Sequence, residues 1–205
     1  MLYEILQKAR KEGLMAIEND VESPHESELF KKYPAVGSDH HVLEFTTDYL
    51  RMMVSGNLNA HEIEALMESE IETHHQEAYG PVAALTRLAG ALPAFGIVAA
   101  VLGVVNTMGS VGQPPAVLGA MIGSALVGTF LGILLAYGVF EPLGGLMEQK
   151  VEESGKELLC VKTTLLASMQ GYAPATAVEF GRKVLFSDVR PSFSELEGHV
   201  KGKKA

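Results

Sequence analysis

LAGALPAFGIVAAVLGVVNTMGSVGQPPAVLGAMIGSALVGTFLGILLAYGVF, residues 88–140, is a run of 53 positions without one Asp, Glu, Lys, Arg or His. A membrane helix needs about 20 mostly apolar residues. The run therefore holds two spans and a turn of roughly a dozen residues, and has no room for a third span. A soluble fold could bury one such helix, but two helices without a charge have no face to show to water. The expected hairpin has a first span over about 83–106, a turn TMGSVGQPP at 107–115, and a second span ending near Phe140.

Working outward, all 41 charged residues of the 205-residue chain lie outside this run, at about 27%, the ordinary density of soluble protein. The first 87 residues carry 7 Lys and Arg against 16 Asp and Glu, which accounts for the whole net charge of −9. No basic stripe supports nucleic-acid binding. The first 13 residues are charged every few positions and lack an apolar core, so no secretory signal is read there. A single cysteine, Cys160, excludes an intramolecular disulfide and a multi-cysteine metal site.

Three parts follow: 1–81 helical, 82–141 the membrane hairpin, and 142–205 helical again, an all-α membrane protein. In the first part apolar residues recur at spacings of three and four (Leu2, Ile5, Leu6, Ala9; Val42, Phe45, Tyr49, Met52; Ile63, Leu66, Met67, Ile71). Pro24 and Pro34 end short helical stretches, and Gly56 stands where a C-terminal cap belongs. Asn59 with Glu62 has the spacing of a capping box, opening a helix toward Tyr79. In the third part Leu143, Leu146, Met147, Val151, Leu158, Val161, Leu165 and Leu166 extend the second span, bent at Pro142. Gly171 and Pro174 break it before a helix over 175–186 and a basic tail (Lys201, Lys203, Lys204).

Ten of the 21 glycines fall within 88–140. Helices in lipid associate where small residues let their backbones approach. Gly119, Gly123, Gly128 and Gly132, with Ser124, give the second span faces of this kind. Gly96 with Ala100 and Ala99 with Gly103 do so for the first. Pro93 should kink the first span. The run has no carboxylate or histidine of the kind that usually carries protons through membranes, so conduction would need a carboxylate from another chain. On its own chemistry Thr129 is expected to bond back to a carbonyl one turn earlier. His40-His41 and His74-His75 are adjacent pairs whose side chains diverge by about 100° on a helix, which makes poor chelates. Glu72 with His75 has the spacing of a carboxylate-bridged metal motif but lacks its matching set. The acidic run Glu62, Glu64, Glu68, Glu70, Glu72, Glu77 reads as a solvated face. No metal, cofactor or enzyme signature is present.

Several strings resemble the flagellar stator subunits of the MotA/TolQ/ExbB proton-channel family: LPAFGIVAAVLGVV (92–105), LVGTFLGILLAYG (126–138), GYAPATAVEFGRKVLF (171–186), GLMAIENDVESPHESELFKKYP (13–34) and DYLRMMVSGNLNAHEIEALMESEIETHH (48–75). The resemblance covers essentially the whole chain. Family members have four membrane helices, so it implies that these spans are the third and fourth and that the chain corresponds to the C-terminal two thirds of such a subunit. It further implies a ring of copies around MotB, which supplies the channel aspartate, and a cytoplasmic loop that pushes the rotor protein FliG. Residue by residue, Arg10 and Glu18 match loop charges that engage the rotor. Eight residues on an unbroken helix is a net turn of about 80°, so both could face one way unless Gly13 interrupts the helix. Pro93 and Pro142 match prolines governing conformational change at the cytoplasmic end of the channel. Thr129 matches a channel-lining residue facing the partner's aspartate. Ala100 stands where sodium-driven relatives carry Thr, which implies H+ rather than Na+. The uncharged turn, with Arg87, Lys150 and Lys156 flanking the hairpin, places both flanks in the cytoplasm by the positive-inside rule. A TolQ- or ExbB-type energiser and a non-conducting scaffold remain as alternatives.

Overall fold

The computed structural model describes residues 1–56 and 59–202. It is all-helical, with no strand among the described residues. The helices are α1 (Leu2–Glu12), α2 (Glu18–Glu22), α3 (Glu28–Lys31), α4 (Pro34–Ser38), α5 (His40–Ser55), α6 (Ala60–Met108), α7 (Pro115–Leu135), α8 (Glu141–Met169), α9 (Pro174–Val184) and α10 (Phe193–Lys201). Two compact units result: one of Met1–His74 with Glu153–Ala205, the other His75–Glu152. The polar first and last parts of the sequence thus share one unit. Lys203 and Lys204 of the basic tail lie outside the described residues.

In the polar unit the apolar face of α1 (Ile5, Leu6, Ala9) joins α5 (Phe45, Tyr49, Leu50), the start of α6 (Ile63, Met67) and the end of α8 (Leu158, Leu165) in one core. Each fully buried side chain of this size contributes about 1.5–3 kcal/mol. Capping fixes the element ends. Asp39 accepts from the Val42 N–H at 3.0 Å, and Gly56 closes α5 in the left-handed region at φ 68°, where only glycine is unstrained. Asn59 accepts from the N–H groups of His61 and Glu62, and the Glu62 carboxylate accepts from the Asn59 N–H. The Tyr49 hydroxyl donates to Glu70 at 2.6 Å, tying α5 to α6. Burial, and then this carboxylate, push the phenol's pKa up. Gly181 lets α9 rest directly on α8: a Cβ there would overlap the Thr164 hydroxyl and lie 2.9 Å from the Cys160 carbonyl.

One knot holds the short helices that follow α1. Lys8 donates to Asp20 at 2.6 Å and the Ser27 hydroxyl donates to the same carboxylate at 2.5 Å. Ser27 in turn caps α3 by accepting from Leu29 and Phe30. Burial works to raise the Asp20 carboxyl, but the two hydrogen bonds and the Lys8 charge outweigh it and hold its pKa below the usual value of 3.8.

In the second unit the charge-free end of α6 and all of α7 run antiparallel. The 21 residues of α7 rise roughly 31 Å, matching a hydrocarbon core of about 30 Å. The seam between the helices has almost no side chains in it. A Cβ on Gly96 would lie 2.7 Å from the Gly128 carbonyl oxygen and 3.3 Å from the Gly132 Cα. One on Gly103 would lie 2.9 Å from the Ala125 Cα, and one on Gly132 2.7 Å from the Leu92 carbonyl oxygen. The seam repeats at three and four residues on both helices, as ridge-to-groove contact of two α-helices requires.

Two expectations need correction. The helix opened at Asn59 does not stop near Tyr79; α6 is continuous for 49 residues through Pro81 and Pro93. Pro81 removes one backbone bond, yet Val82 beside it is buried and the chain continues helically. At the far end of α7 the helix does not simply bend at Pro142. Residues Ala136–Phe140 form a π turn, in which the Glu141 N–H donates to the Ala136 carbonyl five residues back. In a regular helix the Pro142 ring would meet the Gly138 carbonyl, and widening one turn relieves that conflict. The helix over Phe193–Lys201 was not read from the sequence at all, although its Ser192/Glu195 capping box is the same signal that located α6.

These contacts give two expectations. Gly96→Leu should lower the thermal midpoint of the detergent-solubilised chain by the equivalent of about 1–3 kcal/mol through overpacking, whereas Gly112→Leu, in open space in the turn, should change it by less than about 0.5 kcal/mol. Asp20→Asn should lower the midpoint at pH 7 by roughly 2–4 °C, about 1 kcal/mol. Because the folded-state pKa is depressed, the wild-type advantage exists above the ordinary carboxylate value and disappears as pH falls through the lowered one. Midpoints of the two proteins measured from pH 7 to 3 should converge at the acid end.

Candidate functional site

The hairpin presents few polar groups, and their placement decides what it can do. Thr129 does not bond back into its own helix as expected from its chemistry alone. Its hydroxyl donates across the seam to the Gly96 carbonyl at 3.3 Å. The reason is local: Gly96 has no Cβ, so its backbone comes within reach of α7. Ala100 is buried against Gly128, whose Cβ would stand 3.6 Å from the Ala100 nitrogen. Thr107, at the end of α6, is buried and donates to the Val104 carbonyl at 2.5 Å. Asn106, Ser124 and Tyr137 are exposed.

Of the four second-span glycines singled out from the sequence, Gly128 and Gly132 lie in the seam with Gly96 and Gly103 of α6. Gly119 and Gly123 meet nothing within 4 Å and leave an open small-residue surface. Pro93 is half-buried inside α6, and Pro142 is exposed one residue into α8, immediately after the π turn. Around the seam stands a broad apolar surface, with Phe95 70% and Phe130 63% exposed in the single chain. Surface of this kind is covered by lipid or by other membrane helices. No Asp, Glu, Lys, Arg or His lies between residues 88 and 140. Hydroxyl, amide and backbone groups can orient water or accept a hydrogen bond, but none changes charge near neutral pH.

In the polar unit Arg10 and Glu18 are both exposed, and neither side chain has an ion-pair or hydrogen-bond partner among the described residues. They do not share an unbroken helix. α1 ends at Glu12, Gly13 turns the chain at φ 93°, and a 3-10 turn, Leu14–Ile17, intervenes before α2 opens at Glu18. Most neighbouring charges are satisfied within the unit: Lys8 with Asp20, Lys32 with Glu4, and Arg51 with Glu22 and Asp48. Lys162, only 10% exposed along its side chain, reaches Glu68 at 3.7 Å.

The histidine pairs do come together, with the His41 and His74 rings edge-on at 4.8 Å, and His40 lies 3.6 Å from Glu44. No group of three or more metal-ligating side chains forms among the described residues. Cys160 is half-buried. Burial pushes its thiol up to about 11, with Glu157 adding to the shift and the Thr164 hydrogen bond opposing it. The thiol is therefore almost wholly protonated at neutral pH and a poor nucleophile.

The arrangement is that of a membrane hairpin made for association, with a charged polar unit. The family described as the MotA/TolQ/ExbB proton channel family matches residues 38–159. Motility protein A of Salmonella typhimurium is 54% identical over 201 residues, covering 98% of this chain and 68% of that protein. Motility protein A of Escherichia coli strain K12 is 53% identical over 204 residues, covering 100% and 69%. Chemotaxis protein LafT of Vibrio parahaemolyticus is 38% identical, covering 96% and 69%. In three dimensions the chain is similar to the C. jejuni MotAB structure, with a TM-score of 0.76 and 23% identity over 93% of this chain and 68% of that one. It is similar also to the flagellar MotAB stator complex from Bacillus subtilis, with a TM-score of 0.73 and 25% identity over 90% and 65%. A match over more than half the sequence, joined to full-chain identity above 50% with two curated relatives, makes the chain a member of the MotA/TolQ/ExbB proton channel family on its Motility protein A branch.

Proposed function

We propose that this chain is the ion-channel and rotor-contacting part of a flagellar motor stator, working with MotB in the bacterial inner membrane. The observation that carries the reading is the hairpin without an Asp, Glu, Lys, Arg or His. A proton-channel family member with no carboxylate between residues 88 and 140 can conduct only if a partner supplies the titrating group, and MotB is the partner named in the similar stator complexes. The exposed apolar faces of α6 and α7 offer the surface on which such a partner helix and neighbouring copies would pack. In this reading several copies ring the MotB helices. The uncharged turn faces the periplasm, and Arg87, Lys150 and Lys156 lie on the cytoplasmic side.

The partner's aspartate is protonated from the periplasm and releases its proton toward the cytoplasm. Each neutralisation removes a desolvated charge and shifts the packing equilibrium of the ring by up to a few kcal/mol. Thr129 supports ion contact as well as packing, because its hydroxyl oxygen keeps acceptor capacity while donating to Gly96. The π turn before Pro142 supports a conformational role, since one widened turn between two regular helices is a natural place for backbone rearrangement. Ala100 puts no hydroxyl at its own place in the seam, where sodium coordination would need one, and this favours H+ as the transported ion. Arg10 and Glu18, exposed and unpaired, are free to engage opposite charges on the rotor protein FliG through contacts that salt weakens.

Motility tests the reading. A chimera carrying this chain behind the N-terminal third of E. coli Motility protein A should restore swimming to a strain lacking its own copy. A protonophore should abolish that swimming, and removing sodium should not. Absence of swimming despite membrane insertion and co-purification with MotB would contradict the proposal. In the same chimera Thr129→Val should cost about 0.6 kcal/mol of stability, the average for a membrane interhelical hydrogen bond, while reducing swimming speed by far more than that loss explains.

A further inference from the structure

We infer that the π turn is a two-register joint: it exchanges with an ordinary helical turn, and the exchange swaps Gly144 for Leu143 on the side of α8 that meets α6. The inference rests on the stator reading above and names the part that moves at the end of the hairpin assigned to the cytoplasm. The register shows in what is buried. Gly132 lies against α6, where its Cβ would stand 2.7 Å from the Leu92 carbonyl oxygen, and Ala136, one turn on, is fully buried. At about 100° per residue a regular helix would carry that line on to Leu143, within about 20° of both, and leave Gly144 about 80–120° away. The reverse is found. Leu143 is 46% exposed, while Gly144 is buried, with its Cβ position 3.5 Å from the Thr86 hydroxyl oxygen of α6. The extra residue taken up by the turn over Ala136–Phe140 accounts for the difference of one position.

Both registers are open to this chain. The π form frees the Pro142 ring from the Gly138 carbonyl. Yet α6 runs through Pro81 and Pro93 as a regular helix, so a proline does not by itself forbid the other form. Gly144 and Gly145 follow directly, and glycine holds a helix less firmly than any residue but proline. The two forms pack differently. With Gly144 inward, α8 comes close to Thr86, as small residues allow; with Leu143 inward, a branched side chain is driven between the two helices and they separate. Packed helices hold such alternatives as discrete arrangements rather than a continuum. In the stator reading, the packing shift that follows neutralisation of the partner's carboxylate is the input to this joint. Its output is opening of the hairpin at the end where the proton leaves.

The test is cysteine cross-linking of the full chain in membranes, with Cys160→Ala throughout. Thr86→Cys with Gly144→Cys reports the π register, and Thr86→Cys with Leu143→Cys the regular one. Under mild oxidation the first pair should close readily and the second slowly. Pro142→Ala, which removes the bias toward the wide turn, should speed the second pair about tenfold by shifting the population. Deleting Val139 takes out the extra residue and leaves a regular turn with Gly144 still inward, so the first pair should close and the second should not. A deletion from a regular helix would instead rotate everything beyond it by about 100°. In the swimming chimera the Val139 deletion should hold the joint in one form and abolish motility while co-purification with MotB persists. If the second pair never closes and Pro142→Ala leaves both rates unchanged, the joint is fixed and the inference fails, with the stator reading untouched. The inference fails equally if the Val139 deletion stops the first pair from closing, or if the chimera carrying it swims as its parent does. Should the parent chimera not swim, the stator reading fails, and the cross-linking rates still decide whether the turn exchanges.

Discussion

Inside a hydrocarbon layer every backbone polar group must be bonded within its own helix or to a close neighbour, and apolar side chains gain nothing by meeting each other instead of lipid. That constraint shapes the hairpin. With no hydrophobic drive available, α6 and α7 adhere by bringing backbone to backbone at Gly96, Gly103, Gly128 and Gly132, where dispersion and the Thr129 hydrogen bond to Gly96 act over short distances. The larger side chains are displaced outward, where they remain for lipid and partners. A hairpin made in this way is a good helix-packing surface and a poor proton carrier, so a titrating group has to come from outside it.

Water imposes the opposite rule on the rest of the chain. There the drive is burial, and two segments far apart in sequence combine into one core around Tyr49, Leu50, Met67 and Leu165. The polar contacts of this unit are mostly satisfied internally: Asp20 holds Lys8 and Ser27, and Glu70 holds Tyr49. Among the described residues Arg10 and Glu18, like Lys11 and Glu12 beside them, have no side-chain partner, and the glycine break between Arg10 and Glu18 leaves Leu14 and Met15 exposed.

Much of this was legible in the residues. The charge-free run set the hairpin, and Gly56 and Asn59 marked the end of one helix and the start of the next through capping chemistry that is local by nature. What was not legible depended on partners. Small residues four apart announce a contact without saying with what, so Gly119 and Gly123 looked equivalent to Gly128 and Gly132 until α6 was seen against only the latter pair. Thr129 was expected to bond within its helix because its own sequence neighbours cannot reveal that Gly96 lies opposite. Proline rules foretold disturbance at Pro93 and Pro142 without specifying its form: α6 absorbs Pro81 and Pro93, and the strain at Pro142 is met by a π turn that no residue pattern encodes. The exposed apolar turn at Leu14 and Met15 was hidden in an otherwise amphipathic string, since periodicity alone cannot tell a 3-10 turn from a helix.

The backbone-to-backbone seam can be tested by cross-linking. Ala99→Cys and Gly128→Cys, introduced together with Cys160→Ala, place two sulfurs on carbons that would lie 2.9 Å apart, close enough that a small outward shift reaches the usual disulfide spacing of about 3.5–4.5 Å. In membranes, mild oxidation should close an intramolecular disulfide between these positions and not between Ala99→Cys and Gly119→Cys. Efficient closure of the second pair in place of the first would mean that the spans pack through another face, and the seam described for this hairpin would be wrong.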